Sequence, residues 1–292
     1  MSAQANVEFP SDREYADAAL AEVYARIRPS YPASIVDRLQ ARIGAQRGAG
    51  VAEIAAGTGH FTRLLSGRGL HVVAVEPSRP MRAHAPELPD VTWREGRFES
   101  TGLSDRSQRW VVTAQAFHWA DARRALPEIR RILEPGGWFT ALWNAERLTG
   151  SPVVRWTYEL IRRRLPEYRY VDRTTAMRRA GSRGIARLPF GLQRGIGLLA
   201  QLTGDAGRVS RGLLLQQGGS FGRVAYDEVV HERAVSRDGF LDYWRSRSRL
   251  QEMVGSGRFE AFLVEVAEHL DRQGITSVHI PYVCGAWSAR VR

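Results

Sequence analysis

The chain has 292 residues, 43% of them hydrophobic and 25% charged, which is the ordinary composition of a globular protein that buries a core. It contains no lysine, so all 42 basic residues are arginines, and the net charge is +11. Because arginine keeps its proton in proteins, chemistry that depends on a Schiff-base lysine or a P-loop lysine is excluded. We interpret the arginine excess as coding bias in preference to a dedicated polyanion-binding role.

The cysteine content and the hydropathy of the chain further restrict the kind of protein that it can be. Cys284 is the single cysteine, so neither an intramolecular disulfide nor a multi-cysteine metal site is available, and we expect no metal cofactor. The first ten residues lack the apolar run of a secretory signal, and no stretch reaches the roughly 18 apolar residues that span a bilayer. These features predict a soluble, cytoplasmic protein without a membrane span, acting as a monomer or a homodimer.

The first half of the chain alternates between helical and strand-like patterns. Apolar residues at helical spacing predict a helix over 33–47. Short apolar or β-branched runs predict five strands, over 50–56, 71–76, 91–98, 109–116 and 138–143. Helices are predicted between the strands, at 61–65, up to about residue 85, and from a cap at Asp121 to about 133. This alternation predicts a doubly wound α/β fold, with a parallel sheet that binds ligands at the carboxyl ends of its strands.

The second half has a different pattern. Helices are predicted over 152–164, 240–253 and 259–272, and strands over 224–235 and 278–290. The stretch from 175 to 219 is rich in arginine and glycine and has apolar residues at irregular helical spacing. This region therefore predicts an insert followed by the end of the core.

The most informative segment is the glycine turn Gly57-Thr58-Gly59, between the first strand and its helix. A dinucleotide site requires a third glycine three residues after the second, but that position is Thr62. Glu53, in the first strand, is placed to reach a cationic methionine arm. Glu76 ends the second strand, where a carboxylate can bind both hydroxyls of a ribose. The pattern favours S-adenosylmethionine over NAD, and a tight turn that binds no ligand is the structural alternative.

Two segments resemble the first motifs of class I S-adenosylmethionine-dependent methyltransferases, in particular the small-molecule type 11 group. They are 51–65, V-A-E-I-A-A-G-T-G-H-F-T-R-L-L, and 71–82, H-V-V-A-V-E-P-S-R-P-M-R. Residues 24–32, Y-A-R-I-R-P-S-Y-P, and 115–119, Q-A-F-H-W, are similar to motifs of the subgroup around trans-aconitate methyltransferase. The L-E-P-G-G at 133–137 also resembles the family pattern. The resemblance covers about residues 15–146, with a fainter match over 282–290.

The resemblance implies a Rossmann-like methyltransferase fold. This fold has a mostly parallel seven-stranded sheet with an antiparallel last strand, plus a helical insert. We expect residues 1–49 to form helices that cover the cofactor, and residues 50–146 and 223–292 to form the core. Residues 147–222 are then expected to form a helical insert or lid that recognises the substrate.

The resemblance also implies which residues bind S-adenosylmethionine. They lie in the N-terminal segment, in the glycine turn and at the ends of the strands: Tyr24, Arg28, Glu53, Ala55, Gly57, Gly59, His60, Glu76, Pro77, Arg97, Phe98, Gln115 and Ala116. The sequence departs from the family at Ala55, where the first glycine is usual, and at Arg97-Phe98, where the family has Thr-Ala. Phe98 is expected either to stack on the adenine or to belong to the core.

His118 is the predicted general base, because it follows the fourth strand at its carboxyl end and imidazole titrates near neutrality. The alternative is a structural histidine that positions the cofactor. Tyr31, Trp119 and Trp143 are the candidate walls of the substrate pocket, or ordinary packing residues.

The expected reaction is methyl transfer to an oxygen, nitrogen or carbon atom of a small molecule, in natural-product biosynthesis. Arg162-Arg163-Arg164 predicts a solvated face, or an anionic substrate if these side chains line the pocket. An RNA methyltransferase is an alternative motivated by charge, although no N-P-P-Y-type motif follows the fourth strand. A binding protein that keeps the cofactor but has lost catalysis is the other alternative.

Overall fold

The computed structural model describes residues 29–147, 150–168 and 221–292. The helices are α1 (Ala33–Ile43), α2 (Thr62–Leu65), α3 (Arg79–Ala83), α4 (Ala122–Ile132), α5 (Pro152–Arg164), α6 (Arg237–Arg245), α7 (Ser248–Val254) and α8 (Ser256–Arg272). The strands are β1 (Gly50–Ile54), β2 (His71–Val75), β3 (Val91–Arg94), β4 (Gln108–Ala114), β5 (Leu133–Glu146), β6 (Ala225–Ser236) and β7 (Ser277–Arg290). A short 3₁₀ turn spans Phe117–Trp119.

The described strands form one seven-stranded sheet in the order β3-β2-β1-β4-β5-β7-β6. Strands β1 to β5 pair in parallel, and β7 pairs antiparallel with both β5 and β6. The strand order reverses between β1 and β4, so the carboxyl ends of these two strands border the crevice where doubly wound folds bind ligands. The predicted Rossmann-like fold with an antiparallel last strand is confirmed.

Apolar side chains cover both faces of the parallel sheet. One face packs against α4 in a cluster that contains Ile129 and Phe139, and the other packs against α1 in a cluster that contains Leu39 and Val51. A third cluster joins α5, α6, α7 and α8 to the beginning of β7. The near-continuous apolar runs of β1 and β4 follow from this burial on both faces.

Several predicted boundaries differ from the observed ones. β3 ends at Arg94 rather than at 98, and the segment predicted as one helix over 240–253 contains the end of α6, a break at Ser246-Arg247, and most of α7. β5 extends beyond its predicted range at both ends, and its last pair with β4 is at Leu142. From Trp143 to Glu146 it continues beside β7, rising about 13 Å above the edge where the parallel pairing stops. We call this extension, together with the paired parts of β7 and β6, the antiparallel wall.

Residues 1–28 of the predicted N-terminal cover (1–49) and the arginine-rich stretch over 175–219 lie outside the described residues. Within the described ranges, no helix is long and apolar enough to cross a membrane. The same part of the chain holds no group of three or more His, Cys, Asp or Glu side chains arranged to bind a metal ion.

Trp244 centres the third apolar cluster, and its removal tests that cluster's contribution to stability. The fully buried indole packs edge-to-face on Tyr158, with ring centroids 5.3 Å apart, and on Phe262 at 5.6 Å. We expect Trp244→Ala to lower the free energy of unfolding by about 3–5 kcal/mol, because it leaves a cavity. Urea unfolding measures this, with exposed Val264→Ala as the control that changes stability by less than about 0.5 kcal/mol. Equal losses in the two variants would contradict the prediction.

Candidate active site

The loop after β1 has a left-handed backbone at three positions. The φ angles are 58° at Ala55, 59° at Gly57 and 80° at Gly59. This region costs a residue with a Cβ atom about 1–2 kcal/mol, which explains why the family usually has glycine where this chain has Ala55. A Cβ atom on Gly57 would meet no atom within 4 Å, whereas one on Gly59 would lie 2.8 Å from Pro86 Cδ. Gly59 therefore allows close packing within the protein, and Gly57 keeps the loop's outer surface open.

Glu76 joins the loops that follow β1 and β2. Its Oε2 accepts a hydrogen bond from the Gly57 amide at 2.8 Å, and its Oε1 accepts one from the Ser78 amide at 2.8 Å. Burial raises the pKa of this carboxyl, and the two amides act in the opposite direction. Each carboxylate oxygen has a second lone pair, so the group retains the capacity to accept hydrogen bonds from a pair of hydroxyls.

Glu53 lies deeper in the same region. Its side chain is buried and accepts a hydrogen bond from Thr62 Oγ1 at 2.6 Å. Burial raises the pKa of Glu53 to about 8, and the neighbouring charge of Glu76 adds to this increase while Thr62 opposes it. The two carboxyls are thus close enough to interact electrostatically. Thr62, which replaces a dinucleotide-type glycine, is the partner of Glu53.

A further polar atom in this loop has unused hydrogen-bonding capacity. Thr58 is buried, and its hydroxyl has no hydrogen-bond partner among the described residues. Buried hydroxyls without partners cost stability, so they are uncommon away from functional sites. The open surface at Gly57, the carboxylate of Glu76 and the hydroxyl of Thr58 fit a ligand with hydroxyl groups and a charged amino acid arm.

The remaining predicted cofactor residues fall into four groups, of which the Arg97-Phe98 segment is described separately below. His60 and Pro77 are half-buried and flank the glycine loop and Glu76. Gln115 and Ala116 follow the carboxyl end of β4, where Gln115 has a left-handed φ of 60°. Tyr24 and Arg28 lie outside the described residues.

The Arg97-Phe98 segment is placed by its backbone and by core packing. Arg97 and Ser100 form a backbone bridge. Phe98 is buried and packs edge-to-face on Phe117, with centroids 5.7 Å apart. In this structure Phe98 is therefore a core residue, which is the second of the two expectations stated for it.

The predicted catalytic and substrate residues are placed in part. The backbone of His118 lies in the 3₁₀ turn directly after β4, and the structure does not describe its side chain. Trp119 in the same turn is half-buried. Tyr31 packs edge-to-face on Phe61, beside the glycine loop, with centroids 5.3 Å apart. Trp143 is buried and packs on Trp287 at 5.4 Å, so it is a core residue here and not an open pocket wall.

Arg162, Arg163 and Arg164 are exposed at the end of α5. Arg162 pairs with Glu159 and Arg164 pairs with Glu265. These contacts support the interpretation of the arginine run as a solvated face.

Sequence reasoning missed two sets of polar side chains on the antiparallel wall: the pair Asn144 and His231, and Glu146. Asn144 and His231 are joined by a hydrogen bond of 2.7 Å, and the Asn144 carbonyl accepts a hydrogen bond from Gln115 Nε2 at 2.7 Å. Glu146 binds Arg247 and the hydroxyl of Tyr158. A polar Asn that follows the apolar run W-F-T-A-L-W was the available sequence signal for the first of these.

Comparison with known proteins agrees with this geometry. Residues 52–141 match a family model described as a methyltransferase domain. An uncharacterised methyltransferase of Mycobacterium tuberculosis is 43% identical over 128 residues, which cover 43% of this chain and 51% of the relative. A methyltransferase-like protein of Schizosaccharomyces pombe is 32% identical over 148 residues, 50% of this chain and 56% of the relative. The chain thus spans about half the length of these curated relatives.

A solved structure assigned as a type II methyltransferase from Anaeromyxobacter dehalogenans has a similar fold. Its TM-score is 0.60 at 20% identity, over 90% of this chain and 97% of that chain. The fold and the matched residues agree with each other: residues 52–141 are similar to a methyltransferase domain, and the strand order is that of a doubly wound sheet.

The raised pKa of Glu53 predicts a specific pH dependence of stability. Between the ordinary pKa of 4.5 and about 8, the folded protein holds a proton that the unfolded chain has lost. The free energy of unfolding therefore falls as the pH rises through this window, by up to about 1.4 kcal/mol per pH unit. We expect Glu53→Gln to flatten this decline in urea unfolding measured across the window. Glu260→Gln, which changes an exposed glutamate on α8, serves as control, and an unchanged slope in Glu53→Gln would refute the assignment.

Proposed function

We propose that this chain transfers a methyl group from S-adenosylmethionine to an oxygen, nitrogen or carbon atom of a small molecule, in a biosynthetic role in the cytoplasm. The supporting observation is the position of Glu76 at the end of β2, where it orders the glycine loop and keeps lone pairs available. In this proposal Glu76 binds the ribose hydroxyls and Gly57 lets the donor approach the backbone. The hydroxyl of Thr58 and the carboxyl of Glu53 serve the methionine arm.

Methyl transfer is an in-line displacement, so the protein contributes alignment, exclusion of water, and removal of a proton where the acceptor carries one. We propose that residues 1–49 cover the donor and that residues 147–222 cover the acceptor, as the family resemblance suggests. The 3₁₀ turn lies directly after β4, and in this proposal it borders the acceptor together with the antiparallel wall. His118 is proposed to contact the reacting groups from that turn.

Replacement of Glu76 tests the donor site directly. Hydrogen bonds to charged groups contribute about 1.5–3 kcal/mol, so we expect Glu76→Gln to weaken S-adenosylhomocysteine binding by about 10- to 100-fold. Isothermal titration calorimetry of the purified chain provides the measurement, and circular dichroism verifies folding. Glu134→Gln, at the amino end of β5, is the matched control with unchanged affinity. Failure of folded wild-type protein to bind S-adenosylhomocysteine would overturn the proposal.

Thr58→Val separates a role in binding from a role in folding. Valine has nearly the shape of threonine but lacks the buried hydroxyl, so the free energy of unfolding is expected to rise by about 1 kcal/mol. Affinity for S-adenosylhomocysteine is expected to fall several-fold, because the donor loses a partner. Thermal unfolding and calorimetry give the two values from the same preparation. Loss of stability together with unchanged affinity would show that the hydroxyl serves the fold.

Acceptor assays then address the transfer itself. The protein is incubated with methyl-labelled S-adenosylmethionine and a panel of small acceptors that contain hydroxyl, carboxyl, amine or activated carbon groups. Mass spectrometry detects the gain of one methyl group. Donor binding without transfer to any member, and without an effect of His118→Ala on donor turnover, would favour the non-catalytic alternative.

A further inference from the structure

The antiparallel wall carries a row of polar side chains on one face. Glu146, Tyr282 and His231 are directly opposed on β5, β7 and β6, so their side chains point to the same face of the sheet. Asn144 lies two residues before Glu146 and therefore shares that face. The row stands above the carboxyl end of β4, to which it is tied through the hydrogen bond from Gln115 to the Asn144 carbonyl. The row thus borders the carboxyl ends of the parallel strands, where doubly wound folds bind their ligands.

The contacts of Asn144 determine which nitrogen of His231 carries the proton. The Asn144 Nδ2 donates to the Ser30 carbonyl at 3.2 Å. A carbonyl only accepts hydrogen bonds, so the amide group must face Ser30 and the Oδ1 must face His231. The Oδ1 lies 2.7 Å from His231 Nε2, which is therefore the protonated nitrogen. The Nδ1 is then the basic nitrogen, and no described residue forms a hydrogen bond with it.

The surroundings keep this imidazole neutral. Its ring is half-buried and stacks on Tyr282, with centroids 5.4 Å apart, and burial lowers the pKa of His231. Arg233, two residues further along β6 on the same face, interacts electrostatically with Tyr282. Charged groups on the neighbouring elements have partners of their own. On α1, Arg38 binds the Glu228 carbonyl and Arg42 binds the Asp227 carboxylate. On β5, Glu146 is paired with Arg247.

We propose that His231 is a general base of the methyl transfer and that Asn144 is its positioning residue, a role that rests on the proposed function. The acceptor's proton moves from its oxygen or nitrogen atom to His231 Nδ1. The acceptor atom forms its bond to the methyl carbon as the carbon–sulfur bond breaks, and that electron pair remains on sulfur. The imidazolium then releases its proton to solvent. Asn144 and the histidine act as an amide–imidazole pair, in which the amide holds the ring in the productive tautomer.

A tautomer measurement tests the geometry without knowledge of the acceptor. Long-range proton–nitrogen NMR spectra of ¹⁵N-histidine-labelled full chain distinguish the two ring nitrogens. We expect the His231 signals, assigned by their loss in His231→Gln, to show a protonated Nε2 and an unprotonated Nδ1. In Asn144→Asp, the new carboxylate should raise the pKa of His231. A protonated Nδ1 in the wild-type protein would overturn the proposal, whatever its donor affinity.

Kinetics test the catalytic role with any acceptor that the panel identifies. We expect His231→Gln to lower kcat by about 10²- to 10⁴-fold, while affinity for S-adenosylhomocysteine stays within twofold of wild type. Asn144→Asp should move the acidic limb of the kcat–pH profile to higher pH. His279→Ala removes an exposed histidine of β7 that lies outside the antiparallel wall, and it should leave kcat unchanged. A kcat of His231→Gln equal to that of the wild type would overturn the proposal. Failure of the wild-type protein to bind S-adenosylhomocysteine would instead refute the proposed function.

Discussion

The contact on which the candidate site depends is the pair of hydrogen bonds that the Glu76 carboxylate accepts from Gly57 and Ser78. One buried side chain thereby sets the shape of two loops that follow neighbouring strands. A carboxylate suits this role because it accepts from two amides and still has lone pairs for a ligand. The open surface at Gly57 and the left-handed backbone around it are useful only while that contact holds the loop in place.

The electrostatics of the region around Glu53 and Glu76 complement those of S-adenosylmethionine, the proposed donor. Two carboxyls, Glu53 and Glu76, interact within a region that is largely closed to water, and burial raises the pKa of both. A ligand that brings positive charge would favour their ionised forms, so its binding would be coupled to release of a proton.

Sequence patterns predicted the sheet and the position of the glycine loop because both arise from local features. Buried apolar runs marked the strands, and the glycine turn with Glu76 some twenty residues later marked the loop. The packing of Phe98 and Trp143 was not predictable, since an aromatic residue near a site suits a core and a pocket equally well. The Asn144–His231 pair was missed because 87 residues separate its members, and only the β5–β7–β6 pairing brings them together.

The antiparallel wall has an asymmetry that affects how the protein can evolve. Along β5, polar Asn144 and Glu146 alternate with Trp143 and Ala145, whose side chains belong to the opposite, apolar face. A deletion or insertion of a single residue within this segment would exchange the two sets, burying charge in the core and turning an indole toward the polar face. Changes in acceptor preference are therefore expected to arise by substitution along the wall, while changes in length should be confined to the connections between strands.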